Sequence, residues 1–524
     1  MKAGRERDEA LRALRELRAT RRRRFVGQIE VMELVYRVYV AAIFGAIALA
    51  VVSGAVHDAA IGPGDVADIA AKGPALLGLA VAVAALAGLR SGARGGPLAI
   101  EEAEVQYVLL APIERRLTLR PVALAQLRTA LLAGAVLGVV AGNFAFRRLP
   151  GSAPVWFACL ALFGALLPLC ALGAALLACG RRLRPRPATA VGLLVVAWSL
   201  ADVVLGATTS PATMLGLLAT LPLQHGGREL LAALGVAVAL GAGWVGLRGL
   251  GGLSLEAARR RATLAAEMRF SASVHDVRTV ILLRRQLASE KPRRRPWLRL
   301  RAPRLARRPI WRRGWQSFLR WPAARLVRVL LADAAAGAVA VAGWAGATPL
   351  LVLPGPILFL AALDLVEPLA QEADHPLRRD LLPLEAKALI YRHLLAPASA
   401  MVAVVLLGTL TAMALGASGT AAEVGLAMAV PTAALLLCCA ALSATYDPYA
   451  NLLMPQMGLF QSALPVIAAT VAVGLPLLIA RHVVESGQGP FGAVLSIELT
   501  VTFGAWVLAL WLGKRVSGQA EVAA

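Results

Sequence analysis

The sequence predicts an all-α, polytopic membrane protein of about 12 transmembrane helices, arranged as two parallel six-helix repeats with amphipathic helices beside them. Three observations carry this. Of 524 residues, 58% are hydrophobic and only 16% charged, with a mean hydropathy of +0.69, whereas soluble domains are about 45–50% apolar and about 25% charged. Apolar runs near 20 residues, the length that crosses a ~30 Å hydrocarbon core, recur along the whole chain. An acidic segment recurs at the same place in each set of six.

Residues 1–33 form a charged lead-in that contains Arg21-Arg22-Arg23-Arg24, and the first long apolar stretch begins only near Val35. No cleavable signal peptide is expected there; Arg21 to Arg37 reads as a basic amphipathic run feeding the first span. The first half, 34–250, holds expected spans near 34–53, 73–91, 121–146, 154–179, 188–206 and 229–250. An Arg-rich connector, 251–323, precedes the second half, 324–515. Its spans are expected near 324–344, 347–366, 391–416, 421–444, 463–481 and 491–513, before a tail at 516–524.

Basic residues accumulate on the cytoplasmic side of membrane proteins. With the N-terminus inside, the loops holding Arg115-Arg116, Arg181 to Arg186 and Arg378-Arg379, the connector, and Lys514-Arg515 all fall inside. The outer loop 54–72 carries Asp58, Asp65 and Asp68 instead, and Arg147-Arg148 is the exception. Both termini are therefore expected in the cytoplasm.

The net charge of +23, from 54 basic and 31 acidic residues, raises the question of nucleic acid. From Arg259 to Arg320 the connector holds eighteen Arg plus Lys291, against Glu267, Asp276 and Glu290. Trp297, Trp311, Trp315 and Trp321 lie beside a span, where amphipathic Trp is expected at headgroup level. Each basic residue near an anionic leaflet contributes about 1 kcal/mol of attraction. The expected partner of these charges is the anionic membrane surface, and no nucleic acid is expected.

The repeat lies between the second and third spans of each half. Glu101-Glu102-Ala103-Glu104 leads through Leu109-Leu110-Ala111-Pro112-Ile113-Glu114 to Arg115. Glu372-Ala373-Asp374 leads through Leu381-Leu382-Pro383-Leu384-Glu385 to Lys387. The segment Arg312 to Arg320 precedes the seventh span as Arg21 to Arg37 precedes the first.

Hydrolytic machinery is missing. Gly513-Lys514 is followed by Arg515 and ends a span, so no phosphate-binding loop forms. His57, His225, His275, His375, His393 and His482 include no pair at zinc-protease spacing, and no metal site is expected. Cys159, Cys170, Cys179, Cys438 and Cys439 all lie in apolar runs and read as small packing residues. The chain is not expected to be an enzyme.

Ionisable residues inside spans are costly, so they face a bundle interior or cavity and mark candidate pathways. Here these are Asp202, Arg128, Asp333 and Glu498, with Glu423 near an outer end. Asp333 is expected to form a local ion pair with Arg325 or Arg328. Between the fifth and sixth spans, the apolar stretch 210–223 is too short to cross. It contains Pro211, Met214, Leu218 and Pro222 and reads as re-entrant. Its counterpart from Arg481 to Pro490 is shorter and polar.

These features together resemble the ABC-2-type exporter permeases, in particular the bacterial form with both six-span halves fused, as in antibiotic and multidrug exporters. The resemblance implies that the segment between spans two and three of each half is a coupling helix docking on an ATPase. The corresponding positions are Glu101, Glu102, Glu104, Pro112, Glu114 and Arg115, and Glu372, Asp374, Pro383, Glu385 and Lys387. It further implies two copies of a separate ABC ATPase subunit that binds the ATP and magnesium, with no cofactor in this chain. A small amphipathic or lipophilic substrate would leave across the bacterial plasma (inner) membrane. The polar second outer loop departs from the family pattern and speaks against a symmetric outer gate.

Two other classes compete. A twelve-span proton-coupled secondary transporter of major-facilitator type also has two halves and a basic central loop. It would carry a Gly-x-x-x-Asp-Arg-like loop where this chain has Pro112-Ile113-Glu114. The third class is a membrane-embedded enzyme or assembly scaffold.

Overall fold

The computed structural model describes residues 62–98, 114–224, 226–273, 309–373, 386–417, 419–444, 455–487 and 490–523. Between these it describes 9, 12–13, 16–20, 23, 39, 100–101, 104–109, 279, 283 and 293–299. Among the described residues the chain is helical, with no strand. Ten helices among the described residues are long and apolar enough to cross a membrane. The expected first span, 34–53, lies outside the described residues but for Tyr39.

The chain divides into two compact units, the first reaching Glu267 and the second starting at Met268. In the first, α1 (Pro63–Gly92), α2 (Arg115–Phe146), α3 (Ala153–Gly180), α4 (Pro185–Leu205) and α6 (Glu229–Arg248) are the spans. The short α5 (Pro211–Thr220) lies between α4 and α6. Proline in the first turn of α1, α3, α4 and α5 starts each helix where no intrahelical N–H is needed. Gly206, at φ +65°, ends α4 in the left-handed conformation that glycine adopts without a steric penalty.

Small residues let these backbones meet, the usual device where lipid provides no hydrophobic drive between helices. A side chain on Gly134 would run into the Gly164 carbonyl of α3, and one on Gly88 into the Ala171 carbonyl. Pro74, inside α1, removes the N–H that would reach the Ala70 carbonyl one turn back. The Gln224 side-chain amide, just past α5, donates to that carbonyl at 2.7 Å. Beyond α6, α7 (Leu255–Ser273) packs Ala258 and Ala262 onto Leu119 and Leu176.

The second unit opens with α8 (Pro309–Phe318), whose Trp311, Trp315 and Phe318 continue to Trp321 as a ladder of edge-on rings. Trp321 is buried and Trp311 and Trp315 are packed against the core, while Trp297 alone of the four is exposed. α8 turns its aromatic face inward and leaves Arg313 and Gln316 outside. Residues 293–299 are tied to the same turn, Trp297 donating its indole N–H to the Trp321 carbonyl at 2.9 Å.

The spans of this unit are α9 (Ala323–Trp344), α10 (Pro354–Leu365, entered through a 3-10 turn at Thr348–Val352), α12 (Ala386–Ala414), α13 (Gly419–Ala444) and α14 (Pro455–Glu485), and α15 (Pro490–Ala523) stands at the place of the expected sixth. A short α11 (Glu367–Ala373) follows α10. In α15 the described apolar stretch is Leu495–Leu510.

The two units share an internal packing order. The helix at the fourth span (α3, α13) packs on those at the second, third and sixth, and the second packs on the fifth. The second unit adds contacts of α13 with α14 and of α14 with α15.

Candidate functional site

In the first unit, the polar residues of the α4–α5 turn form one connected set. Asp202, 1% exposed, accepts the Thr209 hydroxyl at 2.6 Å and the Ser210 backbone N–H at 2.8 Å. The Thr209 backbone N–H lies 3.2 Å from both carboxylate oxygens. Ser210 caps α5 by accepting the Thr213 N–H at 3.1 Å, the usual task of serine at a helix start. The Ser199 and Ser210 hydroxyls lie 3.2 Å apart, and Trp198 donates to the Thr209 hydroxyl at 2.8 Å. Asp202 thus fastens the start of α5 to the end of α4.

The ten residues of α5 are too few to cross a membrane, and most are buried among α1, α3 and α6. Leu218 is buried, while Pro211, Met214 and Pro222 are half-buried. A side chain on Gly216 would meet the Pro74 carbonyl, and one on Gly78 the Thr213 backbone. The helix therefore depends on glycine at both contacts.

The second unit holds a cavity of about 100 Å³ between α9, α10, α12, α13 and α14. Its walls are mainly Ala, Gly, Val and Leu, with Asp333, Thr409 and Thr432 as polar members and Trp344 toward one end. Asp333 is 1% exposed, and neither of its carboxylate oxygens has a hydrogen-bond partner among the described residues. The buried Thr432 hydroxyl also has none, whereas Thr409 donates to the Val405 carbonyl at 3.0 Å. Room for the carboxylate exists because position 408 is glycine; a Cβ there would sit against Asp333 Oδ1.

The expected ion pair of Asp333 with Arg325 or Arg328 is not formed. Both arginines turn to α10 and α11 instead. Arg328 reaches Asp364 at 3.0 Å, and Arg325 reaches Asp364 at 3.6 Å and Glu367 at 3.5 Å. Arg325 also donates to the Asp364 carbonyl and stacks over Trp321 at 4.0 Å. Asp333 lies further along α9, beyond their reach. Asp364 was missed by sequence reasoning, although a lone acid in the apolar run Leu363-Asp364-Leu365 is the signal that singled out Asp333.

Of the repeated acidic segments, Glu104 opens a single π-type turn, Glu104–Val108, and pairs with Arg18 at 2.9 Å. Arg18 also donates to the Thr118 carbonyl of α2 at 3.0 Å. Glu101 and Glu114 are exposed, Glu114 stands at the N-cap of α2, and Arg115 is half-buried. Glu102, Pro112, Asp374, Pro383 and Glu385 lie outside the described residues. Glu372 and Lys387 are placed only by their backbone, at the end of α11 and the start of α12. Arg128 is exposed on α2, Glu498 half-buried on α15, and Glu423 exposed on α13. Arg128 and Asp202 belong to the first unit, Asp333 and Glu498 to the second.

Fold and site define an all-α, multi-pass membrane protein of transporter-like build. No protein-family model, curated protein or solved structure matches the chain.

Proposed function

We propose that the chain is the permease subunit of an ABC-2-type exporter in the bacterial plasma membrane, with both termini cytoplasmic. It would move a small amphipathic or lipophilic compound on ATP hydrolysed by two copies of a separate nucleotide-binding subunit. The observation that carries this reading is α5, a short apolar helix held inside the bundle between the fifth and sixth spans. The common packing order of the two units supports it as well. Glu101, Glu104 and Glu114 precede α2, and Glu385 and Lys387 hold the matching place before and at the start of α12, so a partner docked there would push directly on a span. Asp202 fits this reading as the residue that positions α5.

The test is reconstitution of the purified chain with its ATPase. The chain alone should hydrolyse no ATP, and the pair should transport only with ATP. Glu114→Lys with Glu385→Lys should uncouple or detach the ATPase, each single reversal less so, because truncating or reversing one side of a buried charge contact costs about 2–5 kcal/mol. A double variant that co-purifies with the ATPase and transports at the normal rate overturns the assignment.

The unpartnered Asp333 favours a second reading, a proton-coupled secondary transporter, since buried carboxylates serve as proton relays in such proteins. Transport that a protonophore abolishes and ATP depletion spares would select it.

A further inference from the structure

We propose that the cavity of the second unit is a binding site for a small organic cation, with its ammonium group on Asp333 and its apolar body between α9, α12 and α13. The inference deepens the transport reading by naming a cargo class, and it rests on that reading only in treating the occupant as cargo.

The chemistry of the walls selects the ligand. A carboxylate taken out of water needs a counter-charge or hydrogen-bond donors. Among the described residues Asp333 has neither, and no Arg, Lys or His of them lines the cavity. The nearest arginines along α9 are committed to Asp364. Thr432 brings a buried, unpartnered hydroxyl to the same cavity, and its lone pairs can accept from an ammonium alongside the Asp333 carboxylate. An anion would meet Asp333 with like charge. A neutral apolar molecule would leave the carboxylate as it is.

Size and access agree. The cavity is about 100 Å³, less than the about 150 Å³ of an engineered apolar cavity that encloses benzene. It therefore encloses the ammonium and the atoms next to it, while a ring or short branched chain extends toward the half-exposed end at Trp344. Trp344, about three helical turns beyond Asp333 on α9, lines the other end with Ala417 and Ala421, and all three are half-exposed. An indole face at that end suits a passing cation. Pockets of this kind, apolar with a few convergent polar atoms, are the usual form of small-ligand sites.

The test is calorimetric titration of the purified full-length chain with benzylamine, protonated at neutral pH, and with benzyl alcohol, its uncharged near-isostere. Saturable benzylamine binding is expected, with the alcohol weaker by more than about tenfold. Asp333→Asn should bring the amine down to the level of the alcohol. Ala421→Phe, which narrows the half-exposed end and leaves Asp333 intact, should abolish amine binding even if the Asn variant fails to fold. Absent amine binding, equal affinity for amine and alcohol, or unchanged amine affinity in either variant each overturns the proposal. The measurement needs neither ATPase nor gradient. Its failure thus leaves ATP-driven transport standing, and amine binding by a chain that never transports overturns the transport reading alone.

Discussion

The carboxylate of Asp202 accepts the backbone N–H of Ser210 at 2.8 Å, so a residue in the last turn of one span sets the start of the short helix that follows. With the Thr209 hydroxyl on the other oxygen at 2.6 Å, both sides of the carboxylate are used. A hydrogen bond to a charged acceptor contributes about 1.5–3 kcal/mol. Asp202→Ala is therefore expected to lower the thermal midpoint of the purified protein by an amount equivalent to about 2 kcal/mol or more. Asp202→Asn should lose less, because it keeps one acceptor while turning an amide toward an N–H donor. An alanine variant as stable as the parent would remove Asp202 from this role.

The buried arginines of the second unit give the next expectation. Asp364 meets Arg325 at 3.6 Å and Arg328 at 3.0 Å. Removing one member of a buried ion pair costs about 3–5 kcal/mol, because the other charge stays behind uncompensated. Asp364→Asn should thus be among the most destabilising conservative changes in this unit. Arg328→Gln should cost much less, since the Arg328 side chain is 30% exposed and water screens it. Equal losses from the two variants, read by thermal unfolding in detergent, would contradict this asymmetry.

Legibility in the sequence follows the range of the interaction. The spans were legible because each is a local property, an apolar run of sufficient length, begun in α1, α3 and α4 by proline. Expected limits such as 154–179 and 324–344 differ from Ala153–Gly180 and Ala323–Trp344 by a residue or so. The short apolar segment after Ser210 was legible for the same reason. Asp333 was visible as an anomaly, but its surroundings were not. Proximity along the chain pointed to Arg325 and Arg328, and pairing was decided by Asp364 from another helix, 36 residues from Arg328. The bond from Gln224 to Ala70 spans 154 residues and left no local signal except Pro74.

That bond gives the last prediction. In an α-helix the N–H of residue 74 would donate to the carbonyl of residue 70, but Pro74 has no N–H. The freed carbonyl faces the end of α5, and Gln224 supplies the missing donor at 2.7 Å. Gln224→Ala should therefore destabilise the purified protein by about 0.5–1.5 kcal/mol, the net worth of a part-buried hydrogen bond. Pro74→Ala restores the backbone donor within α1, so the carbonyl no longer depends on Gln224. In the Pro74→Ala background the glutamine substitution should cost only a few tenths of a kcal/mol, beyond any loss of the weaker contact of Gln224 with the Thr220 hydroxyl at 3.4 Å. A double-mutant cycle on thermal stability measures the difference directly. Additive losses would mean that the amide stabilises the α1–α5 contact by some route other than the carbonyl that proline releases.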